Sequence, residues 1–147
     1  MLRIEPMMDA VLDAAAELEK DNFSDPWTAQ SFREELENEN AIYLTAFDGD
    51  KLVGICGMII SLDEANVMNV SVRKEYRRQG IADKMLDELL LLGQKRGVNA
   101  FTLEVRKSNE AAIRLYEKKG FVFEGIRPSF YRNPTEDAAI YWLRVGN

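Results

Sequence analysis

Asn66-Val67-Met68-Asn69-Val70-Ser71-Val72 runs directly into Arg73-Lys74-Glu75-Tyr76-Arg77-Arg78-Gln79-Gly80-Ile81-Ala82, and the reading of this junction decides the fold. In its first half apolar Val and Met alternate with polar residues up to β-branched Val72, so a strand is expected there. The second half is a basic loop closing on glycine. Beyond it Ile81, Met85, Leu89 and Leu92, with Leu86 and Leu90 beside them, line one face of a helix. A helix N-terminus presents unpaired N–H groups and partial positive charge, and a glycine at the turn lets backbone approach an anion closely. The stretch reads as a phosphate cradle; a basic loop solvated at the surface is the rival reading of Arg73, Arg77 and Arg78. Neither GxxxxGK[ST] nor GxGxxG occurs, so the usual signatures for nucleoside triphosphates and dinucleotides are absent.

Toward the N-terminus, residues 2–4 suit a short strand stopped by Pro6, and residues 8–19 carry Val11, Leu12, Ala15 and Leu18 at helical spacing. Asp25-Pro26-Trp27 breaks this helix, and Thr28 is placed to cap a second one bearing Phe32 and Leu36. Residues 41–47 and 52–60 form a hairpin through Asp48-Gly49-Asp50, and Leu62-Asp63-Glu64 turns the chain into the opening strand. Toward the C-terminus, the helix after Gly80 ends near Arg96, with Gly97 suited to the left-handed cap. The strand at 101–105 is reached through that helix and is expected parallel to the opening strand. Asn109 caps a further helix ending at Lys118-Lys119. Strands at 121–126 and 138–145 follow, separated by a polar loop over 128–137. The fold class is α/β or α+β: a mixed, mostly antiparallel sheet of about seven strands with about four helices, in a single domain over 1–147.

A chain of 147 residues buries roughly two-thirds of its unfolded surface, enough for one core. No apolar run approaches the ~18 residues of a membrane span, and Met1-Leu2-Arg3-Ile4-Glu5-Pro6 lacks a signal core, so a cytoplasmic protein without membrane attachment is expected. The formal charge of −6 argues against direct nucleic-acid binding. One cysteine, Cys56, excludes an internal disulfide, and its apolar neighbours make it a core residue. The absence of histidine removes the usual zinc sites and Ser-His or Cys-His pairs, so no metal is expected. Proton transfer near neutral pH then falls to carboxylate, tyrosine, lysine or cysteine, or to water held by them.

Glu104 stands out in this light, because Phe101, Leu103 and Val105 around it are apolar. A carboxylate in a central strand is costly unless it is wet, paired or useful. Two readings are open: a solvated or Arg-paired side chain, or a general base. On the next helix Asn109, Ala112 and Tyr116 fall at i, i+3 and i+7, one stripe about 10 Å long. It suits an extended ligand, although core packing explains the same spacing.

Arg77-x-x-Gly80-x-Ala82 resembles the Q/R-x-x-G-x-G/A signature of the GNAT superfamily of acyl-CoA-dependent N-acetyltransferases. Asn109-x-x-Ala112-x-x-Leu115-Tyr116-x-x-x-Gly120-Phe121 is similar to that family's later cofactor segment. A narrower resemblance, to the RimI-like ribosomal-protein-alanine N-acetyltransferases, rests on Asp25-Pro26-Trp27-Thr28, on Leu103-Glu104-Val105-Arg106 with Ser108-Asn109, and on residues 127–131 ahead of Glu136-Asp137-Ala138. Two departures stand out: Ala82 replaces a second glycine, and Phe130 precedes Tyr131 where relatives often pair tyrosines.

The resemblance implies acetyl-CoA as cosubstrate. Pantetheine would pair with backbone at Val70, Ser71 and Val72, and pyrophosphate would sit on Arg78, Gln79, Gly80, Ile81, Ala82 and Asp83, with Arg77 and Asn109 also in the cofactor site. It implies Glu104 as base and Tyr116 as acid in direct transfer. The acceptor implied is a protein N-terminus, with a ribosomal N-terminal alanine favoured, and Phe23, Trp27 and Tyr131 are candidate walls for it. The residue types suit this chemistry. An α-amine with a pKa of ~7.7–8.0 must lose a proton before attacking a thioester, and the departing thiolate gains from a nearby hydroxyl. A small amine as acceptor, or an acyl-CoA-binding module without turnover, are the alternatives left by the sequence.

Overall fold

In the computed structural model, which describes residues 1–145, seven strands form one sheet: β1 (Leu2–Pro6), β2 (Ala41–Asp48), β3 (Lys51–Ser61), β4 (Glu64–Val72), β5 (Ala100–Arg106), β6 (Val122–Tyr131) and β7 (Glu136–Arg144). Their order is β1-β2-β3-β4-β5-β7-β6. Every ladder is antiparallel except β4 with β5, as a helical crossover between those two strands requires. The helices are α1 (Leu12–Asn22), α2 (Ala29–Leu36), α3 (Ile81–Lys95) and α4 (Glu110–Lys118). This is the mixed, mostly antiparallel sheet with four helices expected from the spacing. The single-domain reading extends over 146–147, which lie outside the described residues.

Local chemistry explains most boundaries. Thr28 accepts a hydrogen bond from the Ser31 N–H at 3.1 Å, so the predicted cap does start α2. Gly49, at φ +62°, closes the β2–β3 hairpin. The first helix begins with a 3-10 turn at Asp9–Val11 and runs to Asn22, three residues past the expected end at Glu19.

The expected loop over 128–137 is corrected at both ends. β6 continues through Pro128 to Tyr131 and β7 starts at Glu136, with Tyr131 paired to Glu136. Proline suggests a break because it lacks a donor, but β6 is an edge strand, where that donor has no ladder to join. A register shift between Arg127 and Tyr131 absorbs Pro128-Ser129, and the Ser129 N–H donates to Asp137 Oδ1 at 2.8 Å.

Two apolar layers flank the sheet. Met58, Met85, Leu86, Leu89, Phe101 and Leu103 are fully buried on the side of α3, where α4 adds Tyr116. Ala15, Leu18, Phe32 and Ile55 form the layer under α1 and α2. Among the described residues no helix is long and apolar enough to cross a membrane.

Candidate active site

The β4–β5 ladder is short: Glu64 pairs Ala100, Ala65 pairs Phe101, Asn66 pairs Thr102, and there pairing stops. β4 continues to Val72 and β5 to Arg106 without joining, so a gap opens inside the sheet. The Arg73 N–H donates to Val53 O at 2.8 Å on the β3 side. By the alternation of an antiparallel ladder, the N–H and C=O of Val72 then point the other way, into the gap. That carbonyl accepts from Asn22 Nδ2 at 3.2 Å and from Arg77 Nε at 3.3 Å.

The cradle lies at the wide end. Gly80 caps α3 at φ +79° with no side-chain cap, leaving the first-turn N–H groups of Ile81, Ala82 and Asp83 without helical partners. A Cβ at Gly80 would meet nothing within 4 Å, so glycine is required for its backbone angle rather than for room. Arg78, at φ +64°, shares the strained turn, while Gln79 Nε2 donates to Glu75 O. Arg77 is anchored over the gap by Asn22 Oδ1 as well as by Val72 O. The Asp83 carboxylate is held by Lys118 at 2.5 Å and by Lys119, which keep it below the usual carboxylate range; only its backbone faces outward for an anion. Asn109 caps α4, its Oδ1 accepting from the Ala112 N–H at 3.2 Å, and keeps its amide donors for other partners. A row of free N–H groups, a guanidinium and an elongated gap together fit a long ligand with phosphates at one end.

Glu104 and Tyr116 sit on opposite faces of the sheet. Leu103 and Val105 belong to the layer under α3 and α4, so Glu104 between them faces the α1–α2 side. Its side chain is 17% exposed and pairs with Arg127. The Arg-paired reading of Glu104 is thus met, and the side chain stands on the stretch of β5 beyond its last pair with β4. Tyr116 is 7% exposed in the α3–α4 layer, edge-on to Phe121 with ring centroids 5.9 Å apart. Burial pushes its hydroxyl well above the usual phenol range, so it stays protonated at neutral pH. Ser71 is buried beside Asn22, and burial pushes the Cys56 thiol up, leaving it a core residue.

On the Glu104 side, Phe23 is 41% exposed at the end of α1, whereas Trp27 packs on Phe32 at 5.3 Å and on Tyr43 at 5.9 Å, so much of it serves the core. Tyr131 is half-buried, its hydroxyl pushed up to about 12 by burial and by the nearby Glu104 charge. The Arg106 guanidinium stacks on its ring at 4.6 Å. Arg106 also donates to the carbonyls of Arg132 and Pro134, to Ser24 Oγ and to Glu136, while Ser24 Oγ donates to Arg132 O. The α1–α2 corner and the β6–β7 hairpin therefore close into a collar beyond Glu104.

Residues 12–121 match the acetyltransferase (GNAT) family. The chain belongs to the GNAT acetyltransferase family. A ribosomal protein bS18-alanine N-acetyltransferase from Escherichia coli strain K12 is 36% identical over 138 residues, covering 91% of each chain. The crystal structure of the ribosomal-protein-S18-alanine N-acetyltransferase from Escherichia coli superposes with a TM-score of 0.91 at 33% identity, over 100% of this chain and 96% of that one. Arabidopsis thaliana NAA60 in complex with acetyl-CoA shares the fold at a TM-score of 0.91, with 18% identity over the full length of both chains.

Several residues that shape the gap in this GNAT chain carry no motif. Asn22 binds Ser71, Val72 and Arg77 across a separation of about fifty residues, which sequence spacing does not reveal. Glu19 is 1% exposed, an unusual burial for a carboxylate, and lies inside an Ala-rich and Leu-rich helix that hides it. Asn69 adopts φ +60° in the middle of β4, and nothing in the strand's alternation sets it apart from Asn66 three residues before it.

Proposed function

We propose that this chain transfers the acetyl group of acetyl-CoA to the α-amine of a protein N-terminus, with the N-terminal alanine of ribosomal protein bS18 the favoured acceptor. The observation that carries the reading is the gap between β4 and β5, with Glu104 on its acceptor wall and Gly80 at its wide end. Support for the acceptor comes from relatives named as bS18-alanine N-acetyltransferases over most of the chain.

In this reading the backbone of Val70, Ser71 and Val72 pairs with the pantetheine arm. The N–H groups of Ile81, Ala82 and Asp83, with Arg77, Arg78, Gln79 and Gly80 around them, hold the pyrophosphate, and Asn109 contacts the cosubstrate through its amide. Glu104, directly or through water, takes the proton from the incoming ammonium, so that the neutral amine attacks the thioester carbonyl. Backbone N–H groups of β4 oppose the charge building on the carbonyl oxygen. As the intermediate collapses the C–S bond breaks, Tyr116 donates its proton to the departing sulfur from the opposite face, and the extra proton on the new amide nitrogen returns through water to Tyr116. Phe23, Trp27 and Tyr131 wall the entrance.

The test is acetyl transfer from acetyl-CoA to a short peptide beginning with alanine, to the same peptide with a blocked α-amine, and to lysine and small amines. Transfer confined to the free α-amine is expected. Transfer only to lysine side chains or small amines, or binding of acetyl-CoA with no release of CoA across the panel, overturns it.

A further inference from the structure

Glu19 is a buried carboxyl that the reaction does not use. Its Oε1 accepts from the Trp27 N–H at 3.1 Å and from Asn69 Nδ2 at 3.3 Å, while Oε2 is buried with no partner among the described residues. Asn69 Oδ1 in turn accepts from the Tyr43 hydroxyl at 2.8 Å. Tyr43 passes close over Gly57, where a Cβ would come within 2.2 Å of its ring, so glycine there leaves room for the ring that carries this hydroxyl.

Asn69 is also where β4 changes register. Ile55 pairs with Ser71 and Gly57 with Met68, so β4 carries one residue more than β3 between these pairs. Such a bulge bends its strand and re-aims the groups after it. Those groups are Val70, Ser71 and Val72, along the wall of the gap. At φ +60° Asn69 needs outside support to hold its conformation, and its two side-chain bonds supply it.

The structure assigns Glu19 as a positioning residue that ties the acceptor corner at Trp27 to the β4 bulge at Asn69, and so sets the backbone that receives acetyl-CoA. One carboxyl oxygen bonds both the Trp27 backbone and the Asn69 side chain, next to the bonds that Asn22 makes to Ser71 and Val72 further along β4. The unpartnered Oε2 shows that the carboxyl is placed for its Oε1 bonds, at the expense of its own solvation. The inference rests on the proposed use of acetyl-CoA and adds a residue outside every motif of the sequence.

The experiment reverses the polarity of the Glu19–Asn69 bond and reads acetyl-CoA affinity by calorimetry, which needs no acceptor. Asn69→Asp sets two carboxyl groups against each other, and the dissociation constant at pH 8 is expected to rise about tenfold or more, the scale of a lost hydrogen bond to a charged group. Combining it with Glu19→Gln removes one of the two opposed carboxyl groups and sets an amide beside the new carboxylate, with the NH2 at the position of the unpartnered Oε2 when the amide oxygen keeps the Trp27 bond. Affinity is then expected to return to within about threefold of wild type, since the repulsion is relieved and an amide again faces the side chain of residue 69. Asn69→Gly, which keeps the left-handed backbone without the amide, gives the same loss should Asn69→Asp fail to fold. Melting temperatures that move while affinity stays constant, or a double variant no better than the single one, overturn the assignment. A wild type that fails to bind acetyl-CoA overturns the functional reading and this inference with it; unchanged variant affinity overturns the inference alone.

Discussion

Arg127 Nε lies 3.2 Å from Glu104 Oε2, and the contact crosses β7 to join the edge strand to β5. Arg127 is largely exposed, so the pair adds little to stability, but it restrains the carboxylate at the wall of the gap. Glu104→Gln keeps the shape and removes the base. Turnover with an N-terminal alanine peptide should fall ~100-fold or more, while acetyl-CoA affinity changes less than about twofold. Steady-state kinetics with calorimetry checks this, and unchanged turnover removes Glu104 from the mechanism.

Tyr116→Phe separates hydroxyl from ring. The ring packs against Phe121 in the buried layer and stays, so the melting temperature should move little. Turnover should fall about tenfold, since a hydroxyl that burial keeps protonated no longer serves the departing sulfur. Wild-type turnover would return Tyr116 to a packing role.

Apolar alternation and helical spacing placed the strands and helices because both are local periodicities, and Gly80 announced the start of α3 through backbone preference. The β6–β7 hairpin is not legible in the sequence because the meaning of Pro128 depends on β6 being an edge strand, a tertiary fact. Glu104 was visible as a charge in an apolar strand. Asn22, Asn69 and Glu19 were not, because each acts through a partner eight to fifty-five residues away and none departs from an ordinary helix or strand composition. The sequence places Asp83 in the first turn of α3, but only the fold shows that its side chain turns to Lys118 and Lys119 at the end of α4.

Arg106 is the keystone of the collar, reaching Ser24, Arg132, Pro134 and Glu136 and stacking on Tyr131, with its side chain 24% exposed. Arg106→Ala leaves the two acceptor-side loops joined chiefly by the Ser24–Arg132 bond. The KM for the acceptor peptide should rise about tenfold as its approach to Glu104 loosens, with the KM for acetyl-CoA unchanged. A rise in both, or in neither, would detach Arg106 from acceptor placement; the two KM values are measured in the same peptide assay.

Glu19 predicts a pH dependence of stability whose sign follows from its burial. Burial raises its pKa above the ordinary 4.5, and hydrogen bonds from the Trp27 N–H and Asn69 only partly offset this. The folded state therefore holds this proton more tightly than the unfolded chain. The associated stability is fully present below about pH 4.5, the unfolded value, and is lost as pH rises through the folded one. Glu19→Gln keeps the acceptor oxygen and carries no such proton, so its stability relative to wild type should grow from pH 4 to pH 8. Each kcal/mol of that growth appears as about 4 °C in melting temperature for a chain of this size. Thermal denaturation of both proteins at the two pH values measures it. A difference that is constant or shrinks toward pH 8 would mean that the Glu19 carboxyl is not stabilised in its protonated form by the fold.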